Sequence, residues 1–416
     1  MNSSLTDGVL ARVDSYREAM RDFAGRLVAL PTENPPGRGY PACVAAIREE
    51  LRRLNLACQV VEVPAEAHGG AAPGRPDPEH PRQCLVAVAG GAGPTLYFHG
   101  HYDVVPAQRP AQFEPRVEGG RLVGRGASDM KGGLAAMIYA ARVLHDLGLP
   151  AAGRVGLCIV PDEETGGAGG SEFLSSTGLL GRDGVGMLTA EPTGGVIWNA
   201  SRGAVTLRVR VRGRTAHVGL QHQGVNAFER MLVVAGALGE LKAEVERRET
   251  GYRITPAAAR RSVLMLGGRV EGGVGASAVP GECWFTVDRR TNPEEDLAAE
   301  KARLTGVLER LRGAGIELDY EVLQEAPASG TPEDDRLART LAAAAEAVTG
   351  RRPDFEMCPG LLETRFYARR GLPALGYGPG VLDVSHGPEE YVELDALPRS
   401  AAVYALTAAE FLGLPA

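Results

Sequence analysis

Histidines and carboxylates recur in five short segments of the chain. The segments HGHYDVVP, GRGASDMKGG, PDEETGG, AEPT and VSHGPEEY begin at residues 99, 124, 161, 190 and 384. Two imidazoles together with several carboxylates are typical of zinc, manganese or cobalt sites, whereas calcium and magnesium prefer oxygen ligands alone. The candidate metal ligands in these segments are His101, Asp129, Glu163, Glu164, Glu191 and His386.

Two histidines among these groups are enough for two metal ions if one carboxylate bridges them. Two ions about 3.5–4 Å apart can polarise a substrate carbonyl and hold a hydroxide on the same substrate. Asp103 follows His101 by two residues, so it is placed to accept the second N–H of that imidazole, as metal-bound histidines usually require. Of the adjacent acids Glu163 and Glu164, one would bind metal and the other would move the proton.

Each segment taken alone also has an ordinary structural explanation. Asp129 precedes a helical pattern and is a natural N-cap, and a single histidine beside a Gly-Pro turn, such as His386, is usually structural. Adjacent acids in a polar loop would usually be solvated. What favours a metal centre is that all the segments occur together, with glycines beside nearly every candidate.

Strands and helices that alternate must position these segments. Four of the segments follow a predicted strand, and GRGASDMKGG opens a predicted helix. Because ligands bind beyond the carboxyl ends of the strands in open α/β sheets, we expect the segments to meet at one edge. The predicted elements of this half are helices at Ala11–Leu30, Pro41–Leu54 and Gly133–Leu147, and strands at Ala57–Val63, Thr95–Phe98, Arg154–Val160 and Val185–Thr189.

The pattern changes near residue 200 to the order βαββαβ, the ferredoxin-like plan. A helix at Asp334–Val348 and a strand at Pro373–Tyr377 then resume the first pattern. We therefore predict an α/β protein with a split catalytic domain (1–199 and 326–416), in which helices cover a mostly parallel mixed sheet, and an inserted lid and dimerisation domain (200–325). The lid elements are predicted at Val205–Val211, Asn226–Arg247, Arg261–Leu266, Gly281–Val287, Glu294–Leu311 and Ile316–Leu323.

Composition excludes several classes of function. The 416 residues are too many for one ordinary core, and the net charge of −7 provides no basic surface for nucleic acid or an anionic membrane. No apolar run approaches the roughly 20 residues that span a bilayer, and the first residues lack the pattern of a signal peptide. Six scattered cysteines without a CxxC pair indicate a reduced, cytoplasmic setting.

Taken together, the five segments closely resemble those of the co-catalytic zinc family of acetylornithine deacetylase, succinyl-diaminopimelate desuccinylase, aminoacylase and glutamate carboxypeptidase. The resemblance covers nearly the whole chain. It implies two zinc ions per chain, replaceable by cobalt or manganese, with Asp129 as the bridge and Glu163 as the general base. The outer ligands that it implies are His101 with Glu191 on one ion, and Glu164 with His386 on the other.

The resemblance extends to the lid. It places His217 where the family's lid histidine reaches across a homodimer to the substrate carbonyl oxygen, as an oxyanion donor. It matches Arg290 to an arginine that grips a substrate carboxylate. Relatives often have a GTSD-type turn where this chain has Gly360 followed by Leu361 and Leu362. Two leucines cannot hydrogen-bond a polar head group, so either the pocket is more apolar or the turn does not touch substrate.

The residues and the resemblance together predict a deacylase that hydrolyses the amide of an N-acyl amino acid with a free carboxylate. A dipeptidase or carboxypeptidase with the same centre is the alternative, because the bond broken is an amide in both. A catalytically silent binding protein would be free to lose Glu163 or a ligand, and this chain keeps them all. A urea-type amidohydrolase is disfavoured because Glu191 stands where that branch commonly has histidine.

Overall fold

The computed structural model describes residues 3–64, 80–149 and 152–413. Contacts divide the chain into two compact units. The first unit comprises Met1–Asn199, Gly330–Glu356 and Glu363–Ala416, and the second comprises Ala200–Ser329 and Met357–Leu362. The first unit is therefore assembled from three separate stretches of chain.

The described elements are sixteen strands and ten α-helices. The strands are β1 Cys58–Glu62, β2 Gln83–Gly90, β3 Thr95–His101, β4 Arg116–Glu118, β5 Arg121–Val123, β6 Arg154–Val160, β7 Gly184–Thr189, β8 Ile197–Ser201, β9 Gly203–Arg212, β10 Val263–Gly272, β11 Glu282–Thr291, β12 Leu318–Ala326, β13 Ser329–Gly330, β14 Phe355–Cys358, β15 Ala374–Gly376 and β16 Tyr391–Glu393. The helices are α1 Ser3–Asp14, α2 Arg17–Val28, α3 Tyr40–Arg53, α4 Gly132–Asp146, α5 Phe173–Ser176, α6 Ala227–Val245, α7 Leu297–Gly313, α8 Arg336–Thr349, α9 Thr364–Ala368 and α10 Ala396–Gly413.

The main sheet has the strand order β1-β2-β6-β3-β7-β15-β8-β13, and β14 pairs with β8. Its centre is parallel: β3 pairs in parallel with β6 and β7, and β7 pairs in parallel with β15. The outer strands β1 and β2 are antiparallel to their neighbours. All seven residues of β3 are buried, as expected for a strand covered on both faces. The predicted mostly parallel mixed sheet is confirmed.

Helix α4 lies at the centre of the helical packing in the first unit. It packs against α10 and α2, and α10 packs against α8. The start of α4 lies very close to the AEPT segment, since a Cβ atom on Gly133 would be 2.3 Å from the carbonyl oxygen of Ala190. Glycine is therefore required at this position if α4 and the segment after β7 are to approach each other.

The second unit has the predicted βαββαβ order. Its four strands pair antiparallel in the order β10-β11-β9-β12. Alternate residues of β9, from Val205 to Val211, are buried in a core that α6 and α7 share, while the arginines between them lie on the opposite face. That alternation is typical of an antiparallel sheet with one covered face.

Several details differ from the sequence prediction. The single helix predicted at Ala11–Leu30 is two helices, because α1 ends at Asp14 and α2 begins at Arg17. Tyr16 lies at the break, where its hydroxyl donates to Asp146 at 2.7 Å. The sequence prediction also lacks helix α10, the strands β2 and β8, and the short elements β4, β5, β13, β14, β16, α5 and α9. Among the described helices, none combines the length and apolar character needed to cross a bilayer.

Candidate metal centre

The carboxyl ends of β6, β3 and β7 bring the candidate residues together. His101 is the last residue of β3, the central strand of the three. Glu163 and Glu164 lie in the loop after β6, and Glu191 lies two residues beyond the end of β7. The predicted meeting of these segments at one edge of the sheet is what the structure shows.

His101, Asp129 and Glu191 form one cluster of possible metal ligands. The Nε2 atom of His101 lies 3.2 Å from Oδ1 of Asp129 and 3.9 Å from Oε1 of Glu191. All three residues are buried. Burial by itself would lower the pKa of His101, but its hydrogen bonds with Asp103 and Asp129 and the charge of Glu191 raise that pKa well above its usual range.

A second cluster contains Asp129, Glu164 and His386. The Nε2 atom of His386 lies 3.3 Å from Oδ2 of Asp129 and 3.3 Å from Oε2 of Glu164. Hydrogen bonds to these two carboxylates raise the pKa of His386 to about 10. Asp129 thus presents one carboxylate oxygen to each cluster, which is the arrangement of a bridging ligand.

The chemistry of these residues fits two divalent metal ions. Each cluster has one imidazole and two carboxylates whose donor atoms all lie within 4.8 Å of one another. The ion pairs of Asp129, Glu164 and Glu191 are with the two histidines. Burial, and then the charge of Asp129, raise the pKa of Glu191 to about 8. Crowded carboxylates of this kind need added positive charge in order to stay ionised.

Glu163 lies beside the clusters and, among the described residues, belongs to neither of them. Burial raises the pKa of its carboxyl well above the usual range, and the charges of Glu191 and Glu164 act in the same direction. Glu163 is therefore a carboxylate close to the clusters but outside both ligand sets, a position from which it could exchange protons with a water molecule held there.

Asp103 contacts both His101 and the loop that carries Glu163 and Glu164. The Nδ1–H of His101 donates to the backbone carbonyl of Asp103 at 3.0 Å, and the Asp103 carboxylate is 3.4 Å away. That carboxylate also accepts the backbone N–H groups of Glu163 and Glu164, each at 3.2 Å, and the side-chain amide of Asn34 at 2.9 Å. Asp103 therefore orients His101 and holds the loop of the two glutamates.

Sequence reasoning missed two charged residues within the quoted segments, Arg125 and Glu390. One carboxylate oxygen of Glu390 accepts the backbone N–H groups of Ser128 and Asp129, each at 3.0 Å. The other oxygen accepts a hydrogen bond from Arg125, which also donates to the backbone carbonyl of His386 at 3.1 Å. This pair holds Asp129 and His386, two members of the second cluster. Their position in the same short segments as Asp129 and His386 is the sequence signal that could have identified them.

The other three predicted site residues belong to the second unit. His217 is exposed, and its Nδ1 accepts the backbone N–H of Gly219 at 3.1 Å. Arg290 is half-buried and makes a two-point ion pair with Asp288, at 2.7 and 2.9 Å. The carbonyl of Gly360 accepts the backbone N–H of Arg202 at 3.0 Å.

The two leucines of the turn after Gly360 differ in their exposure. Leu362 is only 3% exposed, so its side chain packs inside the protein rather than lining an open surface. Leu361 is half-buried. Of the two leucines, Leu361 is therefore the one exposed enough to contact a substrate.

Comparison with known proteins identifies the family of this chain. Residues 97–410 match the family described as Peptidase family M20/M25/M40. A succinyl-diaminopimelate desuccinylase from Methylobacterium sp. (strain 4-46) is 30% identical over 394 residues, which cover 92% of this chain and 93% of that protein. A di-peptidase from Saccharomyces cerevisiae superposes over the full length of both chains with a TM-score of 0.78 at 16% identity.

A dinuclear metal-binding peptidase of the M20 family from Bacillus subtilis also superposes, with a TM-score of 0.66 at 16% identity over 96% of this chain and 99% of that one. These structural likenesses concern the fold. The family match spans well over half of the 416 residues, and the desuccinylase aligns along nearly its whole length. The chain therefore belongs to peptidase family M20/M25/M40 and is a metal-dependent hydrolase of amide or peptide bonds.

Proposed function

We propose that this protein removes the acyl group from an N-acyl amino acid by hydrolysing its amide bond. The observation that carries the proposal is that Asp129 presents one oxygen to each of two ligand clusters, with Glu163 beside them and outside both. The aligned desuccinylase, an amide-hydrolysing deacylase by its name, supports this choice.

The ligands in the proposal are His101 and Glu191 on one zinc ion, Glu164 and His386 on the other, and Asp129 on both. The chemistry that two bound ions supply is polarisation of the scissile carbonyl and acidification of a water molecule. Cobalt or manganese would serve in place of zinc, because imidazole and carboxylate ligands accept all three.

Glu163 would take a proton from the attacking water and deliver it to the leaving nitrogen of the amide. Two properties suit Glu163 to both steps. It lies outside both ligand clusters, and its loop is held by Asp103 through two backbone N–H groups. His217 of the lid would donate to the oxygen that becomes negative in the transition state.

The substrate in this proposal carries a free carboxylate that Arg290 binds. Because Asp288 already occupies the Nε and one Nη of Arg290, a substrate carboxylate would use the other Nη or displace Asp288. Gly360 and Leu361 would lie along the acyl group. A leucine in place of a hydroxyl residue would favour an apolar acyl chain, which gains roughly 0.8 kcal/mol per buried methylene.

A dipeptidase or carboxypeptidase remains the second candidate, since the similar solved structures include a di-peptidase. The two activities differ only in what is attached to the amide carbonyl. A free amine on that side defines a peptide, and an acyl chain without an amine defines a deacylase substrate. A panel of both substrate types distinguishes the candidates.

We expect the purified protein to bind about two transition-metal ions per chain and to hydrolyse N-acyl amino acids faster than matched dipeptides. Chelation should abolish activity, and added zinc or cobalt should restore it. Elemental analysis combined with rates on N-acetyl, N-succinyl, longer N-acyl and dipeptide substrates checks both parts. A fully active protein without bound transition metal would exclude the metal-based mechanism, and a preference for dipeptides would exclude the deacylase.

We also propose that the protein is a cytoplasmic homodimer joined through its lids, which are the second units. The first support is the exposure of apolar side chains on that unit: six large hydrophobic side chains on or near α6 and β10 are 46–84% exposed. They are Phe228, Leu232, Val233, Met265, Val270 and Val274. The second support is β10 itself, an edge strand in the described sheet, which a two-fold copy of the same strand would pair. Free thiols at all six cysteines suit the cytoplasm.

Leu232→Glu is expected to convert the dimer to a monomer, because it places a charge at the centre of the apolar helix face. The control is Val117→Glu, which changes an exposed apolar residue of the first unit and should leave the dimer intact. Analytical ultracentrifugation at the assay concentration measures the difference. A wild-type protein that is monomeric and fully active would refute both the dimer and the role of His217 across it.

A further inference from the structure

A buried imidazole–carboxylate pair lies in the first unit next to the metal centre. His99 and Glu363 are 0% and 1% exposed, and Nε2 of His99 lies 2.6 Å from Oε2 of Glu363. The hydroxyl of Tyr367 lies 3.0 Å from the other ring nitrogen. Removing a carboxylate and its imidazole partner from water costs free energy. Packing alone therefore does not explain why these two side chains are buried together.

The pair faces the loop that carries the proposed base. This base loop comprises residues 161–172. The hydroxyl of Ser171 in the loop lies 3.0 Å from Nε2 of His99. Gly167 also lies against the pair, since a Cβ atom there would be 3.0 Å from Oε1 of Glu363. Next to Glu363 in the chain is Thr364 and then Arg365, which donates to the backbone carbonyl of Gly166 at 2.9 Å.

The base loop needs such support because of its own sequence. It contains four glycines, and two of them, Gly166 and Gly167, have φ values of +101° and +76°. Glycine-rich backbone has many accessible conformations and loses more freedom on ordering than any other residue type. The start of the loop is held by Asp103 through the N–H groups of Glu163 and Glu164. The second half is held by the contacts with Glu363, His99 and Arg365.

We propose that Glu363 and His99 are positioning residues that hold the second half of the base loop, and thereby fix the carboxylate of Glu163. The inference rests on the proposed role of Glu163 as general base. A catalytic group must stay within about 0.5 Å of its productive position, and its supporting contacts are what keep it there. Neither residue touches the reacting atoms in this proposal, since both act through the loop.

The central test is Glu363→Gln, which keeps the shape of the side chain and removes its charge. We expect kcat to fall about 10–100-fold, as is usual when a supporting contact of an active site is lost, with KM changed less than about threefold. Hydrogen–deuterium exchange of the peptide that spans 161–172 should rise at least about tenfold in the metal-free protein. Ser171→Ala removes the hydrogen bond between the loop and His99, and it should give the same two effects.

Glu50→Gln is the matched control. Glu50 is also a nearly buried carboxylate of the first unit, 3% exposed, and it pairs with Arg26 and Tyr139. Its replacement removes one buried negative charge but touches neither the base loop nor the metal ligands. We expect Glu50→Gln to lower the melting temperature while kcat and the exchange of 161–172 stay at wild-type values.

The outcomes separate this inference from the proposed function. Unchanged exchange of 161–172 in both Glu363→Gln and Ser171→Ala would overturn the inference, whatever the activity. Faster exchange with an unchanged kcat would show that the contacts hold the loop without serving catalysis, which also overturns it. If Glu363→Gln does not fold, Ser171→Ala decides. A wild-type protein without metal-dependent hydrolysis would instead refute the proposed function, and the exchange measurement would still report on the loop.

Discussion

Glu163→Gln is expected to lower kcat by about 10²–10⁴-fold while both metal ions stay bound, the usual effect of losing a positioned general base. Glutamine keeps the size of the side chain but cannot accept the proton of the attacking water. Because Glu163 belongs to neither ligand cluster, the metal content should not change. KM should move little, because the lost interaction develops only on the way to the transition state.

Steady-state kinetics and elemental analysis of the same preparation measure both quantities. The control is Glu172→Gln, which alters an exposed carboxylate of the same loop outside both clusters, and it should behave as wild type. If Glu163→Gln kept near wild-type turnover with two ions bound, another group would have to take the proton. Loss of the ions in this variant would instead make Glu163 a ligand.

The meeting of His101, Glu163, Glu164 and Glu191 could be predicted from sequence because each of them lies at or just after the end of a strand. Parallel strands are buried on both faces, so β3, β6 and β7 read as short apolar runs, and the chemistry begins where each run stops. His101 and Glu191 could therefore be placed near one another although 90 residues separate them. The βαββαβ order of the second unit was equally visible, because alternate burial leaves a period-2 pattern on β9.

The supporting contacts could not be predicted, because nothing local specifies them. Glu390 accepts the N–H of Asp129 across 261 residues, and His99 meets Glu363 across 264. Each contact depends on how distant loops fold over the sheet edge. Asp103 is a further example. Its spacing from His101 predicts that it accepts the second N–H of that imidazole, but the spacing does not show that the backbone carbonyl lies nearer to the ring than the carboxylate does.

Tertiary packing also overrode local signals elsewhere. The apolar period of residues 11–30 suits one helix, yet Tyr16 leaves the helical path and bonds Asp146. Leu362 shows the same effect at the candidate substrate turn. A leucine in place of a hydroxyl residue reads as a change of specificity, but that side chain packs inside the protein. A residue type alone does not tell whether a side chain meets a ligand or a core.

Asp129→Ala is expected to lower kcat at least as much as Glu163→Gln does, because among the described residues Asp129 alone belongs to both clusters. The substitution removes one of the three donor residues from each cluster. It also removes the negative charge that lies between the two proposed metal positions. We expect the bound metal to fall from about two ions per chain towards none. Loss of several kcal/mol of transition-state stabilisation corresponds to a fall in kcat of about 10³-fold or more.

Single-cluster variants provide the comparison. His101→Ala and His386→Ala each remove a ligand from one cluster, so each should weaken one ion more than the other. Asp183→Ala, which changes an exposed aspartate of the same unit, should keep both ions.

Combining Asp129→Ala with Glu163→Gln should cost little beyond Asp129→Ala alone. A base cannot contribute when the water that it deprotonates is no longer acidified, and residues that act as a unit are strongly non-additive. Metal titration of each variant followed by single-turnover rates measures the coupling. If Asp129→Ala retained two ions, or if the two losses multiplied, Asp129 would not be the shared ligand that links base and metals.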